Sequence, residues 1–212
     1  MAKNLGPGHS DNYTRAARCT FCKLTPRLCV CDELPRIELP FRFVIVRHGK
    51  EVGRQSNTGA LVPRLLPASV LVDYGLRDNP YDPAPLVDPR TDYWLLFPDE
   101  QAHLLTRTDV SREAGRSTAF VVLDATWRQA RRMLTRLPEL RRMRCVALPA
   151  APQPAQLMRK APAPGRYFTL EAVTRTVETL GFVEEAAQLR AASTLLVRRV
   201  LHIRGKLPRR HA

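Results

Sequence analysis

The 212-residue sequence has no apolar run that approaches the roughly 18 consecutive apolar residues of a membrane span. Its first 19 residues, MAKNLGPGHSDNYTRAARC, also lack the apolar stretch of a secretory signal. No segment repeats along the chain. These absences argue against a membrane partner and against export, so we expect a cytoplasmic protein.

Acidic residues are scarce in the second half of the chain. Residues 104–212 hold 21 Lys and Arg against 8 Asp and Glu, whereas residues 1–103 hold 13 against 12. The formal net charge of +14 is therefore concentrated in one half, which favours a positive surface with a phosphate backbone as its partner. The alternative is a solvated basic surface. Codon bias explains arginine in place of lysine, 29 against 5, but not a surplus confined to one half.

Hydrophobic patterning predicts one α/β fold. The chain is 44% apolar and 25% charged, as globular domains are. Unalternated apolar runs are typical of strands buried on both faces of a mainly parallel sheet, and they occur at 41–48, 69–75, 93–98, 119–125 and 143–149. Helical spacing predicts helices over 126–137, over 169–181 with Gly181 at the end, and over 184–205. The fold class is therefore α/β, with a mainly parallel sheet and flanking helices.

Composition divides the chain into four segments. We predict a flexible N-terminus over residues 1–18, a cysteine-rich segment over 19–40, a main domain over 41–205 and a basic tail over 206–212. A proline-rich stretch over 148–168 is long for a loop in a compact domain, and such loops are often functional.

Four of the five cysteines share the spacing C-x2-C-x6-C-x-C; they are Cys19, Cys22, Cys29 and Cys31. Four thiolates surround one tetrahedral ion with no open position, so this pattern favours a structural zinc site. An iron–sulfur cluster also needs four thiolates, and disulfides or free thiols are further alternatives. Cys145 stands alone in an apolar run, which is typical of a buried small hydrophobic residue.

The stretch STAFVVLDATWRQARRM, residues 117–133, joins a buried strand directly to a helix. Asp124 stands at the carboxyl end of that strand, where open α/β sheets bind ligands. The alternative is that Asp124 or Thr126 only caps the helix. Trp127 follows at once, and a cap does not require it.

Asp124-Ala125-Thr126-Trp127, followed by Gln129-Ala130, resembles the signature of the DTW-domain proteins. The resemblance covers about residues 19–180 and includes the cysteine spacing. Its other blocks are His48-Gly49-Lys50-Glu51, Arg54-Gln55-Ser56-Asn57-Thr58-Gly59, Leu96-Phe97-Pro98 and Thr169-Leu170-Glu171-Ala172. Two positions depart from the family pattern, because Gly49 replaces a usual proline and Phe168 a frequent serine.

The resemblance implies an S-adenosylmethionine-dependent tRNA-uridine aminocarboxypropyltransferase related to the SPOUT enzymes, whose α/β domain ties a trefoil knot around the cofactor. Such an alkyl transferase attaches the 3-amino-3-carboxypropyl group to N3 of a uridine in tRNA and releases methylthioadenosine. Residues 41–205 are then a SPOUT-like catalytic domain, with S-adenosylmethionine as co-substrate and zinc as a structural ion. Many SPOUT relatives dimerise, and the oligomeric state stays open here. A monomer is favoured if the zinc segment occupies the surface that those relatives use.

The resemblance also implies residue roles. Asp124, Trp127 and Thr126 are the expected catalytic residues, with Asp124 as the base for the uracil N3 proton or as the group that orients it. Trp127 is expected to stack on a ring, and core packing is its alternative. The expected cofactor-binding residues are Glu51, Arg54, Asn57, Thr58, Leu96, Phe97, Pro98, Leu123, Asp124, Leu148, Thr169, Leu170 and Glu171. For Thr169 a helix cap is the favoured interpretation from the residues alone.

Arginines without acidic neighbours mark the expected RNA surface. Residues 126–138 contain no acid, whereas a solvated helix face normally carries compensating glutamates. Arg141, Arg142 and Arg144 extend the same basic ridge. The expected RNA-binding residues are Arg128, Arg131, Arg132, Arg136, Arg159, Lys160 and Arg166.

Two other functions compete with this interpretation. The first is a SPOUT-type RNA methyltransferase, or an aminocarboxypropyltransferase that acts on ribosomal RNA. The second is a non-enzymatic, zinc-stabilised module that binds nucleic acid. The polar residues at the strand ends argue against the second, because a simple binder does not need them.

Overall fold

A six-stranded parallel sheet runs through the computed structural model, which describes residues 18–54, 57–110, 114–149 and 167–205. The strands are β1 (Arg42–His48), β2 (Val70–Tyr74), β3 (Thr91–Leu96), β4 (His103–Leu104), β5 (Ser117–Asp124) and β6 (Arg144–Ala147). They lie in the order β2-β1-β5-β3-β6-β4, and every neighbouring pair is parallel. The predicted fold class, α/β with a mainly parallel sheet and flanking helices, is confirmed.

Each of the five predicted apolar runs forms a strand, with bounds shifted by a few residues. Strand β4 is not predicted from the sequence, because its two residues form no apolar run. The central strand, β5, pairs with β1 on one side and with β3 on the other. Its carboxyl end therefore lies in the middle of the sheet edge, between the ends of two other strands.

Helices cover the sheet. Within the described residues they are α1 (Val62–Leu65), α2 (Trp127–Arg136), α3 (Pro138–Arg141), α4 (Thr169–Thr179) and α5 (Val183–Ile203). The three long helices confirm the predicted ones, whereas α1 and α3 are single turns too short to show a period. Gly181 follows α4 with φ 94°, the left-handed conformation that glycine adopts at helix ends.

Two apolar clusters lie on opposite faces of the sheet, because successive strand residues point to opposite sides. On one face Phe43 and Phe120 pack with α4, α5 and the cysteine-rich segment. On the other face Val44 and Val121 pack with α2 and α3. Burial on both faces explains why these strands show unbroken apolar runs rather than alternation.

The cysteine-rich segment contributes to the first of these clusters. Leu24 and Val30 are fully buried in it, together with residues of α5. The domain division at residue 40 stays a prediction, as does the trefoil knot. Among the described helices, none has both the length and the apolar character that crossing a bilayer requires.

Candidate active site

A cavity of about 310 Å³ opens at the carboxyl ends of β3, β5 and β6. This volume falls in the range of small-molecule sites, roughly 300–1,000 Å³, and open α/β sheets bind ligands at this edge. Many of the predicted site residues line it: Leu96, Phe97, Pro98, Leu123, Asp124, Thr126, Trp127, Leu148 and Thr169. The structure thus brings together residues that are far apart in the sequence.

Asp124 is the polar centre of this cavity. It is the last residue of β5 and is only 3% exposed. Its Oδ1 accepts a hydrogen bond from the Thr169 hydroxyl at 2.7 Å, and its Oδ2 accepts one from the side-chain amide of Asn57. Because both oxygens are engaged, the carboxylate is held in one orientation beside the cavity.

Gly59 makes room for the Asp124 carboxylate. A Cβ atom on Gly59 would overlap Asp124 Oδ2, and it would lie 2.9 Å from the Cγ of Asp124 and 3.2 Å from Cγ2 of Ile45. The backbone at residue 59 therefore approaches the carboxylate at a distance that only glycine permits.

We expect Gly59→Ala to displace Asp124 and to damage both stability and function. Overpacking a buried site costs about 1–3 kcal/mol, and a 1 Å misplacement of a reacting group costs about 100-fold in rate. Chemical denaturation measures the first effect and a transfer assay the second. Gly53→Ala is the control, since a Cβ there meets nothing within 4 Å although its φ of 85° adds backbone strain. Full activity in Gly59→Ala would contradict a fixed position for Asp124.

A further hydrogen bond connects the segment after β1 to the start of α4. The backbone N–H of Leu170 donates to Oγ1 of Thr58 at 3.2 Å. Thr169 is the first residue of α4 and donates to Asp124 instead of capping the helix; the N-cap is Phe168, without a side-chain cap bond. The helix-cap alternative for Thr169 is therefore wrong.

The cap of α2 is Thr126. Its Oγ1 accepts from the Gln129 backbone, and the Gln129 side chain accepts from the Thr126 backbone, which completes a capping box. The capping alternative is thus correct for Thr126 and wrong for Asp124. Thr126 also lines the cavity, so one residue starts the helix and borders the site.

Trp127 belongs to both the core and the cavity. Its ring centroid lies 5.3 Å from that of Phe97 at a 50° angle, and it packs against the apolar cluster beside α2. It also lines the cavity. Core packing and a position for ring stacking, which the sequence analysis treats as alternatives, coexist in this side chain.

Six predicted cofactor-binding residues do not line the cavity. Glu51 is 2% exposed and forms an ion pair of 2.7 Å with Arg54 after β1. Leu170 is buried in the apolar cluster under α4. Glu171 forms an ion pair with Arg175, at 2.6 Å.

Asn57 and Thr58 do not line the cavity either, but they are hydrogen-bonded to residues at its edge. Asn57 donates to Asp124, and Thr58 accepts from the backbone of Leu170, which follows the cavity residue Thr169.

Some cavity residues are absent from the sequence-based prediction. They are Val122, Ala125, Ala130, Val146, Ala147, Tyr167, Phe168 and Ala172. The valines and alanines at the strand ends have no polar side chain, so nothing in the sequence distinguishes them from ordinary core residues. Tyr167 and Phe168 directly precede the Thr-Leu-Glu-Ala block, and this adjacency is the signal that identifies them.

The four clustered cysteines come together as the spacing predicts. Their Sγ atoms all lie within 4.8 Å of one another, with 3.5 Å between Cys19 and Cys31 and 3.6 Å between Cys22 and Cys29. Tetrahedral zinc with bonds of about 2.3 Å places its sulfurs about 3.8 Å apart. All four thiols are free, so the disulfide alternative is wrong and the donor set fits a tetrahedral metal ion.

Protonation couples to metal binding at this cluster. The hydrogen bond between the Cys22 and Cys29 thiols, together with burial, raises the pKa of Cys22 to about 12. A metal ion binds thiolates, so its uptake at neutral pH must displace protons, and the affinity falls as the pH falls.

The arginines of α2 form an exposed ridge beside the cavity. Arg128, Arg131, Arg132 and Arg136 are all exposed, and none forms an ion pair within the part of the chain that the structure describes. Arg141, Arg142 and Arg144 are exposed as well. The predicted contacts Arg159, Lys160 and Arg166 lie outside the described residues.

Fold and site together define an α/β protein with a ligand-sized cavity at the carboxyl edge of a parallel sheet, a buried carboxylate in it and a tetracysteine cluster. The DTW domain matches residues 16–201, so the chain belongs to the DTW-domain family. It is similar to tRNA-uridine aminocarboxypropyltransferase 2 of Drosophila melanogaster, with 30% identity over 179 residues, 81% of this chain and 69% of that protein. No solved structure matches the chain.

Proposed function

We propose that this protein is a tRNA-uridine aminocarboxypropyltransferase that uses S-adenosylmethionine. The observation that carries the proposal is the aspartate of the DTW motif. Asp124 is buried, fixed by two hydrogen bonds and placed in a ligand-sized cavity. The similarity to a protein of that name extends over 81% of the chain.

The residues of the cavity fit S-adenosylmethionine. Apolar side chains of Leu96, Phe97 and Leu148 suit its adenine ring and methylene groups, and the ends of β3, β5 and β6 offer backbone polar groups. When bound, it supplies the 3-amino-3-carboxypropyl group on a sulfonium: uracil N3 forms a bond to the γ-carbon, the carbon–sulfur bond breaks, and methylthioadenosine leaves with the bonding pair. Contacts of Glu51 and Arg54 with this cofactor stay a prediction.

The protein must also manage the proton of uracil N3. Asp124 is the carboxylate that lines the cavity, and we propose that it accepts this proton or orients the N3–H group. Asn57 and Thr169 are positioning residues, because they donate to the two carboxylate oxygens. Trp127 offers a ring on which a base can stack, and Thr126 fixes the start of its helix.

The four cysteines are proposed to hold a structural zinc ion. They leave no open position for a substrate, and three of them are buried in the cluster beneath α4 and α5. Metal binding there stabilises the fold and takes no part in the transfer. A monomeric state and a cytoplasmic location stay predictions.

The α2 ridge is proposed to bind tRNA phosphates. Trp127 and Ala130 of α2 line the cavity, and Arg128, Arg131 and Arg132 lie on the same helix. Phosphate contacts on this helix would therefore place a nucleotide next to Asp124. Backbone contacts of this kind position the RNA without reading its sequence.

We expect the double variant Arg131→Gln/Arg132→Gln to weaken tRNA binding and its dependence on salt. Each lost phosphate contact reduces the slope of log K against log salt concentration by about 0.7–0.9. Titrations of tRNA at several salt concentrations measure this slope. The control is Arg36→Gln/Arg90→Gln, which removes two exposed arginines that precede β1 and β3. An equal loss in both variants would indicate a general charge effect rather than a site on α2.

Mass spectrometry of tRNA nucleosides tests the proposed reaction. Unmodified tRNA is incubated with the protein and S-adenosylmethionine and then digested. A uridine that is heavier by the aminocarboxypropyl group supports the proposal, and a methyl-sized increase indicates the methyltransferase alternative. If the protein binds tRNA but neither binds S-adenosylmethionine nor forms a product, the zinc-stabilised binding module is the better explanation.

A further inference from the structure

Tyr167 lines the cavity and is held there from two sides. The guanidinium carbon of Arg175 lies over its ring, 4.4 Å from the centroid. The Tyr167 hydroxyl donates to the carbonyl oxygen of Pro149 at 3.4 Å, just beyond β6. The ring therefore spans from α4 to the end of β6, at the margin of the cavity.

Arg175 is itself fixed by a buried ion pair. Its Nε lies 2.6 Å from Oε1 of Glu171, one turn earlier in α4, and the two side chains are 9% and 10% exposed. Replacing a buried ion pair with apolar residues is often neutral for stability or even favourable, so stability alone does not account for this pair. What the pair does achieve is a guanidinium held over the Tyr167 ring.

Small and aromatic side chains line the same cavity as Tyr167. Ala172, which lies between Glu171 and Arg175 on α4, lines the cavity with a single methyl group. Trp127 and Phe97 line the same cavity. An aromatic ring in such a site is suited to stacking against a planar ligand ring, and Tyr167 is already fixed before the ligand arrives.

We propose that Tyr167 is a stacking platform for a nucleobase, with Glu171 and Arg175 as its positioning residues. The inference rests on the proposed function, which supplies two bases: the adenine of the cofactor and the uracil of the tRNA. Both share a π-face, and stacking of a base on an aromatic residue is sequence-tolerant. The phenol hydroxyl only anchors the ring, so the ring and not the hydroxyl determines the affinity.

Two measurements distinguish the two bases. The affinity for 5′-methylthioadenosine tests whether adenine stacks on Tyr167, and KM for tRNA at saturating S-adenosylmethionine tests whether uracil does. The variants are Tyr167→Leu, which removes the ring, and Tyr167→Phe, which keeps it. Stacking on an aromatic residue is worth about 1–3 kcal/mol. Tyr167→Leu should therefore either weaken methylthioadenosine binding or raise KM for tRNA, by about 5- to 150-fold. Tyr167→Phe should stay close to wild type. Calorimetry gives the dissociation constant, and thermal unfolding shows that each variant folds.

A weaker methylthioadenosine complex in Tyr167→Leu assigns the platform to adenine, and an increased KM for tRNA alone assigns it to uracil. If neither changes, or if Tyr167→Phe loses as much as Tyr167→Leu, the inference is wrong. A wild-type protein that binds no methylthioadenosine would overturn the proposed function as well. Failure of the two proposals is thus distinguishable.

The role of the ion pair has its own test, the double variant Glu171→Leu/Arg175→Met. It replaces both members of the ion pair with apolar side chains of similar size, so we expect its thermal unfolding to remain close to that of the wild type. A merely structural pair would leave ligand affinity unchanged as well. A positioning pair predicts that affinity for the stacked base falls several-fold while the protein stays folded.

Discussion

Replacing Asp124 with asparagine will reduce the rate of transfer to tRNA by about 100- to 10,000-fold, the range in which positioned acids and bases contribute to catalysis. The variant keeps the size of the side chain, and Asn57 can rotate its amide to offer an oxygen to the new amide group. The fold should therefore survive, with a loss in the free energy of unfolding of about 1–3 kcal/mol. Quantitative mass spectrometry of the modified uridine measures the rate.

The matched control for this variant is Asp92→Asn. Asp92 also carries one negative charge, but it pairs with Arg116 near the start of β3, far from the carboxyl edge. Its substitution changes the net charge by the same amount and should leave the transfer rate unchanged. A rate for Asp124→Asn within about threefold of wild type would show that the carboxylate is dispensable and would end its assignment to the N3 proton.

Replacing Cys22 with serine will release the metal and destabilise the whole protein. The four Sγ atoms surround one position, and a tetrahedral site with three thiolates binds zinc much more weakly. Since Cys19, Cys22 and Cys31 are part of the apolar cluster with α4 and α5, the loss spreads into the main core. Loss of a structural metal ranks with the largest single-residue effects, more than about 4 kcal/mol. Inductively coupled plasma mass spectrometry gives the metal content, and denaturant unfolding the stability.

Cys145→Ser controls for the loss of a thiol. Cys145 lies on β6, outside the cluster, and is not among the residues that can hold the ion. This variant should keep one metal ion and lose little stability. The identity of the measured metal separates zinc from an iron–sulfur cluster. A Cys22→Ser protein with the full metal content would disprove the four-cysteine site.

Much of the fold is predictable because the central strands are buried on both faces. The run AFVVL has no polar residue and is followed directly by Asp124, so the burial of β5 and the turn after Asp124 both show in the sequence. Short elements such as β4 and α3 escape prediction, because two to four residues carry no period. The order of the strands is also invisible in the patterning, since it depends on which apolar faces meet in three dimensions.

The sequence indicates part of the cavity lining but not the contacts between its residues. The motif resemblance indicates Asn57, Asp124 and Thr169, yet nothing in the sequence shows that the other two donate to Asp124. Helix capping is the simpler local interpretation of a threonine before a helical run, and it fails for Thr169 because a tertiary partner competes for the hydroxyl. Tyr167 follows a stretch dominated by proline and alanine, where no periodic pattern marks it, so its adjacency to the Thr-Leu-Glu-Ala block is the one signal it carries.

The bonds around Asp124 join parts of the chain that are distant along the backbone. Asn57 is 67 residues from Asp124, Thr169 is 45 residues from it, and Thr58 is 112 residues from Leu170. Closing loops of such length is an entropic cost paid late in folding, after local helices have formed. If the proposed activity is used as a probe, its recovery should therefore lag behind the recovery of helical circular dichroism. Activity would then report the completed topology, and circular dichroism the secondary structure.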